Sequence, residues 1–353
     1  MKFKFYFLVP VIALFNCKAQ TIPLYVGTYT NGDSEGIYKL DFNTETGDLT
    51  NLQLSTSTEN PSFITYSHNK KYLYSVGESN ETISAFKIQK SGTLELLNTV
   101  TTHGGAPCHV SLNTDGTKVV VSNYMGGNIG IYKILEDGSI SEASQVFDHN
   151  EADEKPAHAH SAKFYKDDLF VSDLGRNRFY QYKLVDNAYQ LESKSIINIE
   201  GNPGPRHFEI SKDGKFIYII NEYGGSITSI ERTDTGFKQI DTDSTLDENY
   251  EGKNSCADIH LSKDERFLYA SNRGENTIAV FERDNNNGTI TKIQNISVEG
   301  NWPRNFTLDP TGKFLLVANR WSHNISVFSI DSSSGKLKFM HDAKIPEPVC
   351  LLF

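Results

Sequence analysis

Along most of the chain, apolar and polar residues alternate for a short stretch, give way to a polar turn, and then alternate again. A period of two marks a strand whose two faces meet different surroundings. The clearest units run from His109 to Asn123 and from Arg304 to Asn319, each an alternating strand, a turn and a second strand. The segment from Arg206 to Asn221 repeats the pattern with Lys212-Asp213-Gly214-Lys215 in the turn, and that from Asp258 to Asn272 repeats it with Lys263-Asp264-Glu265-Arg266. Phe63 to Gly77 is a looser copy. A third alternating strand follows in many units, as in Gly36–Phe42, Thr82–Ile88, Asn128–Ile134, Thr277–Phe281 and Asn324–Ile330. Asp-Gly and Thr-Gly pairs mark the reversals, because glycine accepts the positive φ such turns require.

The spacing of these units predicts the fold. The second strands end at Gly27, Gly77, Asn123, Asp173, Asn221, Asn272 and Asn319, at intervals between 46 and 51 residues. Seven repeats of about fifty residues, built from short strands with no helical run, predict an all-β, seven-bladed β-propeller. No Pro/Ser-rich linker breaks the period, so residues 21–353 are expected to form a single domain and a monomer. The charged stretch Asp148–Lys155 is expected to be a long surface loop inside a blade. The first unit lacks an initial strand, while the chain ends in Pro348-Val-Cys-Leu-Leu-Phe353. That tail matches the initial strands at Pro107–Leu112 and Pro303–Leu308, so it is expected to close the first blade and leave no edge unpaired.

The first twenty residues carry a different pattern. Lys2 and Lys4 precede a nearly unbroken apolar run from Phe5 to Phe15, interrupted at Pro10. The run is too short to span a bilayer and reads as a secretory signal, residues 1–20. Two processing routes stay open: a lipoprotein-type signal that makes Cys17 a lipid anchor, or simple cleavage near Ala19 or Gln20. Either predicts export to the periplasm or cell envelope. The other cysteines, Cys108, Cys256 and Cys350, are odd in number and sit at no metal-ligand spacing, so buried free thiols are expected. A net charge of −10 excludes a nucleic-acid surface, which needs a clustered positive field, but leaves room for a local basic pocket.

Candidate chemistry collects where the pattern places one rim of a central channel. Antiparallel pairing sets the start of each first strand beside the end of each second strand. First-strand starts hold His109, His160, Arg206, His207, Arg304 and Asn305; second-strand ends hold Tyr124, Asp173, Glu222, Arg273 and Arg320. The periodic Asn123, Asn221, Asn272, Asn319 and Asp173 read as turn caps. Glu222 and Arg273 break that pattern by placing long charges at the channel mouth, where they must be hydrated, paired or bound to substrate. His158-Ala-His160 puts two imidazoles on one strand, yet a zinc site needs a third ligand, and none is evident. No phosphate loop, dinucleotide fingerprint or Gly-X-Ser-X-Gly motif is present.

The stretches Tyr25–Tyr29, Pro107-Cys-His-Val110, His158-Ala-His-Ser161, Asp173-Leu-Gly175, Gly204-Pro-Arg-His207, Asn221-Glu222, Ser271-Asn-Arg-Gly274, Pro303-Arg304 and Pro348-Val-Cys350 together resemble the seven-bladed lactonase family of 6-phosphogluconolactonases and carboxymuconate cyclases. The resemblance implies an active site at His160, Arg206, Glu222 and Arg273, with no metal or organic cofactor. On this reading Glu222 is the general base, with His160 as alternative base or proton partner. Arg206 and Arg273 hold an anion and the carbonyl oxygen. His109, His207, Tyr124, His158, Arg304 and Arg320 contact substrate, a small anionic lactone or sugar acid. Two departures from the family pattern are Asp173-Leu-Gly-Arg-Asn-Arg178 and Glu275, where the family commonly has histidine. A lactonizing cyclase and a non-catalytic surface-binding propeller remain the alternatives; exposed aromatics such as Trp302 and Trp321 around the funnel would mark the latter.

Overall fold

The computed structural model describes residues 20–152 and 154–353. The signal-like segment and Cys17 lie outside the described residues. Within them, twenty-eight strands, β1–β28, form seven four-stranded antiparallel sheets. The innermost strands are β4 (Ile64–Tyr66), β8 (Pro107–Leu112), β12 (Ala159–Tyr165), β16 (Pro205–Ile210), β20 (Ser255–Leu261), β24 (Pro303–Leu308) and β28 (Pro348–Leu352). Each touches the next around a closed ring. The blades are numbered one to seven from the sheet that contains the N-terminal strand, β1 (Thr21–Thr28).

The alternation in sequence becomes packing between blades. Both faces of each middle strand are buried, and seven apolar clusters fill the seven interfaces. Between blades seven and one, Phe314, Leu316 and Val327 meet Leu24, Val26 and Phe42. Each such side chain contributes about 1.5–3 kcal/mol when fully buried. The first hairpin turns are built as their composition predicts. In blade five, Asp213 accepts hydrogen bonds from Ser211 Oγ at 2.6 Å and Lys215 N at 2.9 Å, and Gly214 takes φ of +75°. A Cβ on Gly214 would also lie 2.5 Å from the Tyr165 ring, so glycine is required twice over.

The C-terminal tail closes the ring as expected. β28 pairs with β1 through Tyr25↔Leu352, Val26↔Leu351 and Gly27↔Cys350. It also ties in both neighbours: Leu351 N donates to Asn305 Oδ1 of blade seven at 2.7 Å, and Ile64 N of blade two donates to Cys350 Sγ at 3.4 Å.

Two details differ from the sequence reading. The second strand of blade one ends at Thr28, not Gly27, because a bulge between them pairs Thr28 with Pro348, as Asn319 pairs with Pro303 in blade seven. The charged stretch at 148–155 joins blade three to blade four instead of lying inside a blade, since strand β11 (Ile140–Asp148) ends where it begins. Cys108, Cys256 and Cys350 are free and buried.

Candidate active site

One position recurs in every blade: the residue that directly follows Thr28, Gly77, Asn123, Asp173, Asn221, Asn272 and Asn319 at the end of the second strand. Around the ring these are Tyr29, Glu78, Tyr124, Leu174, Glu222, Arg273 and Arg320. Five of the seven are set by the same device. The residue just before the inner-strand proline adopts positive φ: Asn60, Ala106, Gly204, Trp302 and Glu347. Its carbonyl then accepts the ring residue's N–H, as in Glu222 N to Gly204 O at 2.7 Å and Arg320 N to Trp302 O at 3.1 Å. Four of these left-handed residues are not glycine, so backbone strain is held at the funnel mouth, where functional residues tend to gather.

The periodic caps are structural. Asn123, Asn221, Asn272 and Asn319 donate to side chains at the start of the third strand, for example Asn221 Nδ2 to Ser226 Oγ at 3.0 Å and Asn319 Nδ2 to Ser326 Oγ at 2.9 Å. Asp173 accepts from His158 N at 2.8 Å and Arg176 N at 3.0 Å and pairs with His149 at 3.0 Å.

Three of the four expected catalytic residues meet. The Glu222 carboxylate lies 3.0 Å from Arg206 Nε and 2.9 Å from Arg273 Nη2 through one oxygen, and its other oxygen accepts from Ser255 Oγ at 2.9 Å. Arg273 is fixed further by the carbonyls of Ser255 at 2.9 Å and Cys256 at 3.1 Å. Arg206, 2% exposed, donates through Nη1 to the Ala257 carbonyl. Its Nε faces Glu222 without aiming its hydrogen at the oxygen, so that donor is left unused. Burial pushes the Glu222 carboxyl upward, but Arg273 and Arg206 outweigh burial and hold it below the usual carboxylate range. Burial, followed by the Arg273 and Arg304 charges, lowers the Arg206 guanidinium to about 9, still protonated at neutral pH.

His160 completes the expected set from blade four. Its ring lies edge-on to Tyr124 at 5.7 Å and to His207 at 5.2 Å. Burial chiefly, then Arg206, His207 and Arg304, hold its pKa well below that of an ordinary histidine, so it is a neutral imidazole at pH 7. His158 does not share a strand with it. It precedes β12, stacks on Tyr124 at 4.4 Å and bonds the Tyr124 carbonyl at 2.8 Å through Nδ1. The two-imidazole strand of the sequence reading is therefore not formed, and among the described residues no three metal-ligating side chains converge.

The remaining expected contacts divide into two groups. Arg304 and Arg320 flank Tyr29, with their guanidinium carbons 5.2 Å and 4.2 Å from its ring centre. Arg304 faces Glu78 at 3.8 Å, and Arg320 faces Glu347 at 3.6 Å. His109 and His207 lie in the channel, their rings 5.5 Å apart and both against Phe63. His207 Nδ1 bonds Asp258 at 2.7 Å, while its Nε2 is buried without a partner. Asp258 continues to His260 at 3.1 Å, which reaches Glu209 at 3.2 Å, which in turn meets Lys163 at 3.0 Å. A narrow cleft lined by Phe63, Arg206, His207, Arg304 and Asn305 brings the His207 end of this ladder and Arg206 to one small space.

Sequence reasoning missed Glu78, Tyr29, Ser255 and Asp258. Glu78 carried a readable signal: it follows Gly77 as Glu222 follows Asn221. The two departures from the family pattern have structural work here. Arg176 and Arg178 clamp Glu151 and Glu154 of the loop joining blades three and four, at 2.5–3.2 Å. Glu275 accepts from Asn272, Thr277 and Asn295 at 2.6–3.2 Å.

Residues 23–353 match the family described as lactonase, 7-bladed β-propeller. The chain is 33% identical over 342 residues to the 6-phosphogluconolactonase of Bacillus subtilis, covering 93% of this chain and 97% of that protein. It is 35% identical over 308 residues to the 6-phosphogluconolactonase of Formosa agariphila, covering 82% and 87%. Among solved structures, the periplasmic gluconolactonase of Pseudomonas aeruginosa superposes with a TM-score of 0.88 at 29% identity, over 94% of this chain and 98% of that one.

Proposed function

Because the chain belongs to the seven-bladed β-propeller lactonase family, we propose that it opens the ring of an aldonic-acid lactone by adding water at the Glu222–Arg206–Arg273 centre. The observation that carries this reading is one carboxylate held between two buried guanidiniums, contributed by adjacent blades. Ring opening needs a base for the water, stabilisation of the oxyanion and a proton for the leaving alkoxide.

The clamp on Glu222 weakens it as a base in the resting site, but the reaction compensates. When water adds to the carbonyl carbon, its proton passes to Glu222 and a negative charge appears on the carbonyl oxygen. The two arginines lose one anion and gain another beside them, so the net charge of the centre is unchanged. The unused Arg206 Nε–H supplies a donor for that oxygen without breaking an existing bond. Collapse of the tetrahedral intermediate breaks the ring C–O bond, and the alkoxide takes the proton back from Glu222 directly or through neutral His160. The product is the open hydroxy acid, and no electrons are exchanged with any partner.

Arg304 and Arg320, each already faced by a glutamate, favour a singly charged or polar substrate over a dianion. The signal-like leader supports the same choice, since an exported enzyme would meet unphosphorylated sugar lactones. The test is ring opening of gluconolactone and of its 6-phosphorylated counterpart by the purified chain, with spontaneous opening subtracted. Turnover of the unphosphorylated lactone at higher kcat/KM supports the reading. No rate above background on either lactone overturns it.

A further inference from the structure

Large apolar side chains exposed on this molecule fall in two kinds of place among the described residues. Most lie on outer strands or on turns far from the funnel, such as Leu52, Leu96 and Met340. Three do not: Met125 is 67% exposed, Tyr223 53% and Trp321 51%. Each directly follows a member of the catalytic-face ring, namely Tyr124, Glu222 and Arg320. The same structural position in blades three, five and seven thus carries a bulky apolar group at the funnel mouth. Scattered exposed apolar residues need no explanation, but a collar at one repeated position around a polar centre does.

The collar has a rigid part. Trp321 stacks on Trp302 with ring centres 3.9 Å apart and planes within 18°. Arg273 places its guanidinium carbon 5.2 Å from the Trp302 ring centre. The sequence of contacts therefore runs outward from Glu222, through Arg273 and Trp302, to Trp321, which is half open to solvent. The backbone locks this arrangement: Trp302 sits at φ of +66°, Arg320 N bonds the Trp302 carbonyl, and Trp321 N bonds the Asn301 carbonyl at 3.1 Å. Tyr223 is held as well, packed so closely on Gly204 that a Cβ there would lie 2.7 Å from its ring.

We propose that the Trp302–Trp321 stack, within the collar formed with Tyr223 and Met125, is a subsite for an uncharged sugar ring attached to the lactone being opened. This rests on the lactonase reading of the Glu222 centre. Trp321 offers a flat apolar face with polar neighbours in Asn301, Ser322 and His323, and a sugar ring presents a C–H face with hydroxyls around its margin. The charges beside the platform argue for a neutral ring: Arg320 is matched by Glu347, and Arg273 shares Glu222 with Arg206, so the one positive charge in excess belongs to the Glu222 centre, where the lactone itself binds, and not to the face of Trp321. A phosphate needs an unmatched cation, which the platform does not supply. The substrate class is then a glycosylated aldonolactone, an oxidised disaccharide, with its lactone ring at Glu222 and its second ring on the tryptophans.

The test exploits the fact that the chain has two tryptophans, both in this stack. Intrinsic tryptophan fluorescence therefore reports the platform and nothing else. Titration with cellobionate should give a saturable change that gluconate does not give at the same concentration, and W321A should abolish it. In parallel, kcat/KM is measured for cellobionolactone and gluconolactone. Wild type should prefer the glycosylated lactone by about 3- to 10-fold, the range expected for one aromatic contact, and W321A should remove that preference. A fluorescence trace indifferent to cellobionate, or equal kcat/KM for the two lactones in wild type, would overturn the subsite. Absence of any lactone hydrolysis alongside a normal fluorescence response would instead overturn the lactonase reading and leave a sugar-binding platform.

Discussion

Glu222 and Arg273 stood out in the sequence because they place long charges directly after the periodic Asn221 and Asn272, at the channel mouth. Their partnership did not stand out. It depends on Arg206, from the first strand of Glu222's own blade, and on Ser255, which begins the next blade. Periodicity predicts which residues share a rim, but not which rotamers meet across a blade boundary, so Glu78 and Asp258 went unread although both lie at repeat positions. At Arg273 the geometry is demanding: Nε and Nη2 together reach two carbonyls, a hydroxyl and the Glu222 carboxylate. Lysine keeps the charge but cannot supply this planar fork. R273K is expected to lower kcat/KM by about 10²-fold or more, because orientation of both Glu222 and the carbonyl is lost. Its thermal midpoint should shift far less than its activity. Unimpaired kcat/KM in R273K would remove Arg273 from the mechanism.

Strands were more legible than side-chain contacts because period two constrains every residue of a strand, whereas a site residue constrains only itself. The inner strands at Pro107–Leu112 and Pro303–Leu308 and the third strands at Thr82–Ile88, Asn128–Ile134 and Asn324–Ile330 fall where alternation placed them. The outer strands were harder to delimit. A strand such as Ile140–Asp148 faces water on its free edge, so its composition approaches that of a loop. The bulge at Gly27 and Thr28 was invisible because it changes pairing without changing pattern. The closing tail was legible because it is a displaced copy of a repeat element. Deleting Pro348–Phe353 removes buried Val349, Cys350 and Leu351, opens the edge of β1 and breaks the hydrogen bonds from Ile64 N of blade two to Cys350 Sγ and from Leu351 N to Asn305 Oδ1 of blade seven. The truncated chain is expected to be insoluble, or to unfold well below the wild-type midpoint, as read by circular dichroism during heating. An unchanged Tm would refute closure by this strand.

The ring of seven blades forces titratable groups into a shared channel, and this couples the whole molecule to pH. His109, His160 and His207 are held below the ordinary histidine range mainly by burial, His207 at about 4. They favour folding while neutral, so their contribution is present above about pH 6.5 and is lost as pH falls toward their folded values. His260 behaves oppositely. Although burial opposes its charge, Asp258 and Glu209 raise it to about 9. Its contribution is full below about pH 6.5 and is lost as pH rises through 9. Tm should therefore peak near pH 6.5 and decline on both sides, and H260Q should flatten the alkaline decline. A wild-type Tm that is constant from pH 6.5 to 9 would contradict the charge ladder.

The central claim is that Glu222, suspended between Arg206 and Arg273, takes the proton of the attacking water. Glutamine keeps the shape and the hydrogen bond from Ser255 but cannot accept that proton. The direct measurement is steady-state opening of gluconolactone by wild type and E222Q side by side, with the spontaneous rate subtracted and both proteins matched for thermal midpoint. The account predicts that kcat falls by about 10²–10⁴-fold in E222Q. A kcat within a few-fold of wild type in a folded E222Q protein would contradict it.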